Sequence, residues 1–382
     1  MTFNLAWTYK GRVYLLCDSA VTHHGMTGVS RSSLGEVVET NVAEAALKLF
    51  ELGDGAVAIG SGDGGALDRL AERVSDHTTA WSEGLLRQRI RDAAAGIHFF
   101  QTSTLLIAFR EMGRARLFAY SSGGTLEEVE DGTVVCTRAW REEISLALRY
   151  LPVVIERKDR ERVDAGRLPF DETSILCYLL AYATTLCLHF PSMESEGVGG
   201  LFVGAAVSGR DTFMTPAIMY VLHQPDVSLT SFSDVAVVPD GLPEWANGVV
   251  FSYLRDGCLQ AYSSITAETK VIWNSTTRRR DLGPPRQEDI VVQHPATWRD
   301  EVQAYIFVNR RGLQANVVRV VRGMSAPVNL LVDNHNYYLA VEPWLADKIS
   351  APESGGIVGG YPVVGVGMVL EQSLSRKPPD CL

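Results

Sequence analysis

After Met1 the chain reads Thr2-Phe-Asn-Leu-Ala-Trp-Thr-Tyr-Lys10-Gly11-Arg-Val-Tyr-Leu-Leu-Cys17-Asp18-Ser-Ala-Val-Thr22. Phe3–Thr8 and Arg12–Ser19 are short apolar runs, and Tyr9-Lys10-Gly11 between them is a turn signal, so a β-hairpin is expected at the start. A second hairpin is expected in Leu47-Lys48-Leu-Phe-Glu-Leu-Gly53-Asp-Gly55-Ala-Val-Ala-Ile-Gly60-Ser-Gly62, where Ala46–Leu52 and Ala56–Ile59 flank Gly53-Asp54-Gly55. Between the two lies the polar stretch Thr22–Thr40, read as a loop or a long hairpin tip. Strand alternation sets Lys48 on the face of Phe50 and Leu52, an uncommon place for a solvated lysine.

Beyond these hairpins, Ala66–Val74 has helical periodicity with Leu67, Leu70, Ala71 and Val74 on one face, and Trp81–Ala95 predicts a second helix. Strands are expected at Thr104–Phe109, Ala115–Tyr120 and Thr125–Val129. Helices are expected at Glu142–Tyr150 and Ser174–His189, the latter apolar nearly all round and therefore buried. Leu201–Ser208 and Thr215–Leu222 read as closing strands. Runs of strands and runs of helices are segregated, which predicts layered α+β packing and not a doubly wound sheet.

Residues 1–240 hold 31 acids and 21 bases, while 241–382 hold 14 of each, so the net charge of −10 arises entirely in the first part. That asymmetry predicts two domains, 1–240 and 241–382. The second is a β-rich extension of short segments from Val249–Tyr253 to Tyr337–Val341, ending in a Gly/Pro-rich stretch with a strand-like piece at Tyr361–Leu370. The acidic balance argues against nucleic-acid or anionic-membrane partners. No signal-peptide pattern or membrane-span pattern is read, which leads to the expectation of a cytoplasmic protein. The six cysteines form no C-x-x-C pair and the histidines no H-x-x-x-H, so neither a disulfide framework nor a metal centre is expected.

Gly60-Ser-Gly-Asp-Gly-Gly65 matches G-x-G-x-x-G after a strand and before a helix, which raises dinucleotide binding. Against it stand the second helix that follows, where a parallel strand is required, and the charge of Asp63 inside the loop. A tight turn that aims backbone N–H groups at a site fits better.

The amino terminus carries a different chemistry. Removal of Met1, usual before a small residue, leaves the Thr2 hydroxyl beside its own free α-amine. The reference pKa of that amine, about 7.7–8.0, suits a general base near neutrality. A nearby cation, an acid to hold it and backbone N–H groups for an oxyanion would complete such a site. Lys48, Asp18 and the Gly60, Ser61, Gly62 stretch are the candidates. Taken singly, the same residues also fit an ordinary first strand, a turn acid and an edge-strand lysine.

Taken together, residues 2–225 resemble the proteasome β-subunit and bacterial HslV family of N-terminal nucleophile (Ntn) hydrolases. Asp18 and Thr22 stand at the family's distances from Thr2, and the Lys48 strand, hairpin, glycine loop and helix follow in the family's order, down to Gly199-Gly200 before a closing strand. The resemblance implies a four-layer αββα Ntn-hydrolase fold and a threonine-type peptidase or amidohydrolase. In it Thr2 is the nucleophile, Asp18 and Lys48 are its catalytic partners, and no cofactor is used. It further implies a peptide or protein substrate and a homo-oligomer, as in the family's rings.

The chain departs from the family at three places. Thr22–Thr40 is a longer segment than its counterpart. Val135-Cys136-Thr137-Arg138 replaces a Ser-Gly pair. Pro191–Gly200 lacks the family's Asp and Ser in register, leaving Ser195 and Glu196, or Glu194, for the auxiliary role. A catalytically silent subunit whose residues 241–382 bind a partner protein is the competing expectation.

Overall fold

The opening turn is set by two left-handed residues, Lys10 (φ 51°) and Gly11 (φ 71°), the two-residue geometry that matches the twist of a hairpin. It joins β1 (Asn4–Tyr9) to β2 (Arg12–Asp18) with Tyr9 opposite Arg12 and Asn4 opposite Cys17. The computed structural model describes residues 2–22, 30–34, 37–38, 42–137, 153–161, 163–164, 166, 169–189, 198–223, 248–255, 257–263, 265–266, 268–274, 302–309, 314–319, 328–333, 336–341, 357–358, 361–362 and 367–368. The expected helix Glu142–Tyr150 lies outside the described residues. Among the described residues, no helix is long and apolar enough to cross a membrane.

The chain divides into two units, Met1–Ser30 with Val38–Leu180 and Ser192–Thr215, and Arg31–Val37 with Ala181–Pro191 and Pro216–Leu382. The boundary expected near 240 therefore moves to Thr215/Pro216. The reason is pairing: the strand Ile218–His223 bonds to partners later in the chain.

After β2 come β3 (Ala20–Thr22), β4 (Ser30–Arg31), β5 (Val37–Val38) and β6 (Val42–Glu44), with β3 and β6 antiparallel. The long polar segment is thus closed at its base by a short ladder. Then follow β7 (Leu49–Gly53), β8 (Ala56–Ser61), α1 (Gly64–Val74) and α2 (Glu83–Ala94). Next are β9 (Thr104–Glu111), β10 (Arg114–Ser121), β11 (Leu126–Glu128) and β12 (Val134–Cys136). The helix at 153–161 is α3, and α4 spans Glu172–His189. β13 (Phe202–Val207) and β14 (Thr212–Met214) complete the first unit's strands.

Two five-stranded sheets form, ordered β12-β1-β2-β13-β14 and β11-β10-β9-β8-β7, every recorded pair antiparallel. Their faces meet, with β2 lying against β8, β9 and β10. Outside the second sheet, α1 and α2 bury Leu67, Leu70, Val74, Leu86 and Ile90 in one cluster with Leu52, Leu105, Ile107, Phe109 and Phe118. Side-chain caps start both helices: Asp63 accepts from Ala66 N at 3.0 Å, and Ser82 from Leu85 N at 3.3 Å.

The first sheet meets α3 and the first half of α4. Asp159 of α3 accepts from Lys10 Nζ (2.9 Å), Tyr9 Oη (3.3 Å) and Phe170 N (2.7 Å). Arg12 Nε pairs with Glu172 of α4 at 2.9 Å. Gly204 of β13 lets the helix approach, since a β-carbon there would lie 3.1 Å from Leu176 Cδ1 and 2.2 Å from Leu15 O. Helices therefore cover the outer face of each sheet.

In the second unit, β15 (Ile218–His223), β16 (Gly248–Arg255), β17 (Cys258–Ser263), β18 (Glu268–Asn274), β19 (Ala304–Asn309) and β20 (Gln314–Arg319) share a sheet ordered β18-β17-β16-β15-β19-β20-β25. β21 (Val328–Asp333) and β22 (Asn336–Val341) form a separate hairpin, and β23 (Ile357–Val358) pairs with β24 (Tyr361–Pro362). β25 (Gly367–Met368) closes the large sheet, so the single piece expected at Tyr361–Leu370 is divided. β15 runs parallel to β19 at its centre, burying Tyr220, Tyr305 and Phe307.

Candidate functional site

Asp18 ends β2 with no exposed surface, and Lys48, just before β7, is 8% exposed. The ladder places Asp18 at the far end of the hairpin from Lys10-Gly11, beside the start of β1. Lys48 is brought to it from the other sheet: Nζ donates to Asp18 Oδ1 at 2.5 Å, while its carbonyl accepts from Gly60 N at 3.1 Å. The same Oδ1 accepts from Phe3 N at 3.0 Å, and Oδ2 accepts from Gly199 N at 3.3 Å. Asp18 is thus a hub joining the amino terminus, the lysine and the approach to β13. Thr2 is half-buried, and its α-carbon lies two covalent bonds from the Phe3 nitrogen on that hub. Structure therefore brings three sequence candidates, Thr2, Asp18 and Lys48, into one neighbourhood. Ser195, Glu196 and Glu194 lie outside the described residues.

Burial is the largest influence on Asp18 and pushes its carboxyl above the usual range; the Lys48 ammonium and the two backbone N–H groups oppose it. A carboxyl raised in the folded state binds its proton more tightly there than in the unfolded chain. Its ionised form is therefore a cost to folding at neutral pH, and that cost falls as pH drops through the raised value. For any reaction that needs the charged pair, the acid limb of the rate profile should lie above the ordinary Asp value of about 3.9. Measuring the pH dependence of Thr2 modification checks this; a limb at or below that value contradicts it. Neighbouring Cys17 is fully buried and its thiol is also pushed up by burial, which leaves it inert as a nucleophile.

The glycine loop divides into parts with different roles. Gly60 is excluded as an oxyanion donor, a correction to the sequence expectation, because its N–H is committed to the Lys48 carbonyl. Ser61 belongs to β8 and stands opposite Thr104. Gly62 has φ 116°, and a β-carbon there would lie 2.5 Å from Ser103 Oγ and 2.7 Å from Thr102 O. Among the described residues no acceptor takes the Gly62 N–H. The Asp63 carboxylate is committed, capping α1 and accepting from Phe100 N at 3.2 Å. Because β8 is antiparallel to both β7 and β9, the glycine loop is not part of a βαβ unit, and the dinucleotide option falls.

Several participants had no clear sequence signal. Glu44 Oε1 accepts from Leu201 N (2.8 Å) and from Ser19 Oγ (3.3 Å), bracing the turn beside Asp18. Gly200 (φ 71°) is required there: a β-carbon would lie 2.6 Å from Ser19 Oγ and 2.8 Å from Glu44 Oε1. Gly200→Ala should therefore cost about 1–3 kcal/mol through backbone strain and displaced neighbours, read as a lower midpoint in urea unfolding. Where a Ser-Gly pair is expected by resemblance, Cys136 stands opposite Leu5, and Thr137 N donates to Asn4 O at 3.2 Å. The Thr137 hydroxyl and the Asn4 side-chain amide are buried without hydrogen-bond partners among the described residues.

No protein-family model matches this sequence, and no curated protein is detectably similar to it. Among the described residues, no three His, Cys, Asp or Glu side chains converge as metal ligands. What the geometry offers is a buried, preorganised ion pair against the Thr2–Phe3 peptide. A glycine N–H is available one strand away.

Proposed function

We propose that this chain is an N-terminal-threonine hydrolase of the proteasome-like Ntn class, acting on a peptide or other amide without a cofactor. The observation that carries the reading is the shared Asp18 Oδ1. It holds Lys48 Nζ at 2.5 Å and Phe3 N at 3.0 Å, fixing a cation beside the residue that becomes the terminus when Met1 is removed. Two antiparallel sheets face to face with helices on both outer faces support the same reading.

In this mechanism the Thr2 hydroxyl proton passes to the Thr2 α-amine as Oγ bonds to the amide carbon. The Lys48 charge favours the neutral amine, and Asp18 keeps Lys48 in place. Gly62 N–H, with Ser61 as its strand anchor, faces the developing oxyanion. Collapse of the tetrahedral species breaks the C–N bond, and the α-ammonium returns its proton to the leaving nitrogen. Water then adds to the ester carbon, giving its proton to the amine, and the C–Oγ bond breaks as the α-ammonium returns that proton to Oγ, freeing the acid and the threonine hydroxyl.

The test is the intact mass of the purified protein before and after an electrophile that needs both a threonine hydroxyl and a free α-amine. A mass lacking Met1 plus one adduct supports the hydrolase; retained Met1, or a free Thr2 that never reacts, sinks it. The second reading, a silent subunit that binds a partner, is favoured by the second unit. It has its own seven-stranded sheet, while every recorded partner of Asp18 and Lys48 lies in the first unit.

A further inference from the structure

At the other end of the first unit's strands, Arg12 and Asp18 terminate β2 and so stand about 20 Å apart at about 3.3 Å per residue. There three turns, Lys10-Gly11, Met112-Gly113 and Ser208-Gly209-Arg210, surround a cavity of about 770 Å³. Its volume lies in the range of small-molecule sites. Five of its lining residues are cationic and three are acidic, an inversion of the acid excess in this half of the sequence.

Most of those charges are committed. Arg12 pairs with Glu172 at 2.9 Å, Lys10 with Asp159 at 2.9 Å, and Arg116 with Glu83, Glu111 and Glu128. Arg114 and Arg210 have no side-chain acceptor among the described residues. Glu111, opposite Arg114 in the ladder, is taken by Arg116 and by the Glu83 N–H. Asp131 is the one lining acid left uncommitted among the described residues.

The backbone brings the two turns that carry these arginines together. A β-carbon on Gly209 would lie 2.0 Å from Gly113 O and 3.4 Å from Arg114 N, so only glycine lets the two turns touch. Arg110 Nη1 donates to the Arg210 carbonyl and Ser208 Oγ accepts from Arg210 N at 3.2 Å, pinning that turn. Each arginine directly follows its glycine. Both arginines line the cavity, and planar guanidinium donors suit phosphate or carboxylate oxygens.

We infer that Arg114 and Arg210 form a binding site for a small oxoanion, a phosphorylated or multiply carboxylated molecule, at the end of the sandwich remote from Asp18 and Lys48. This site does not depend on the hydrolase reading. Calorimetric titration of the full chain with pyrophosphate and with citrate, at an ionic strength fixed by sodium chloride, tests it. Saturable binding of at least one is expected, weakened at least about tenfold by Arg114→Gln or Arg210→Gln and unchanged by Arg91→Gln. Binding of pyrophosphate alone identifies a phosphate ligand, and binding of citrate alone a carboxylate. Without ligand, the two variants should melt as the wild type does, because both side chains are exposed. Heats no larger than those of added chloride overturn the inference. So do variants that bind as the wild type does, or that melt lower without ligand.

Discussion

Thr2→Ala is expected to abolish both the covalent adduct and any amide hydrolysis, a loss of at least about 10³-fold, while leaving the fold intact. The size follows from removing the only atom that bonds to the substrate; losses of that order or more accompany removal of a nucleophile. The fold should survive because Thr2 is half-buried and precedes β1, whose ladder to β2 starts at Asn4. Thr2→Ser keeps a hydroxyl and an amine and should retain measurable activity. Mass spectrometry with the electrophile and a melting curve decide the matter together. An unchanged melting temperature with complete loss of the adduct is the expected pair. An adduct that persists in the alanine variant places the nucleophile elsewhere.

Lys48→Ala is the second large effect, and it should reduce stability as well as reactivity. A buried ion pair adds little net stability, since desolvation offsets most of the attraction, but removing one partner leaves an unpaired buried charge. Asp18 has no exposed surface, and losing Lys48 should cost about 3–5 kcal/mol. For a folded unit of this size that lowers Tm by about 6–20 °C. Asp18→Asn combined with Lys48→Met removes both charges and should recover much of the stability without recovering Thr2 reactivity. A double variant that remains as unstable as Lys48→Ala shows that packing, not charge, holds this corner.

The hairpins around Gly11 and Gly53–Gly55, helices α1 and α2, strands β9 to β11 and the buried run of α4 were legible because each announces itself within a dozen residues. Lys48 was legible from its place on the face of Phe50 and Leu52, and Asp18 from its distance from Thr2, which matches the family it resembles. Other features rest on pairings too distant to read. Glu44 braces Leu201, 157 positions later, and Asp159 receives Lys10 and Tyr9 from about 150 positions earlier. The β15 strand looked like the close of the first domain by its apolar pattern. Its hydrogen bonds go to Gly248–Arg255 and, in parallel, to Ala304–Asn309, so it belongs to the second unit.

The sequence alone determined the two hairpins and two helices of the first hundred positions, though not the short strands β3 to β6 between the hairpins, and that a threonine, an acid and a lysine were candidates for one site. Periodicity and turn chemistry are local, and steric and solvation forces act on them before any long-range contact forms. Tertiary structure alone decided that Asp18 Oδ1 serves both Lys48 and Phe3, that Gly60 spends its N–H on Lys48 while Gly62 does not, and that Arg114 and Arg210 line one cavity. Those outcomes depend on which sheet faces which and on turns that approach too closely for a β-carbon on Gly209. Such distances are set by the packing of two sheets and not by the pattern along either one.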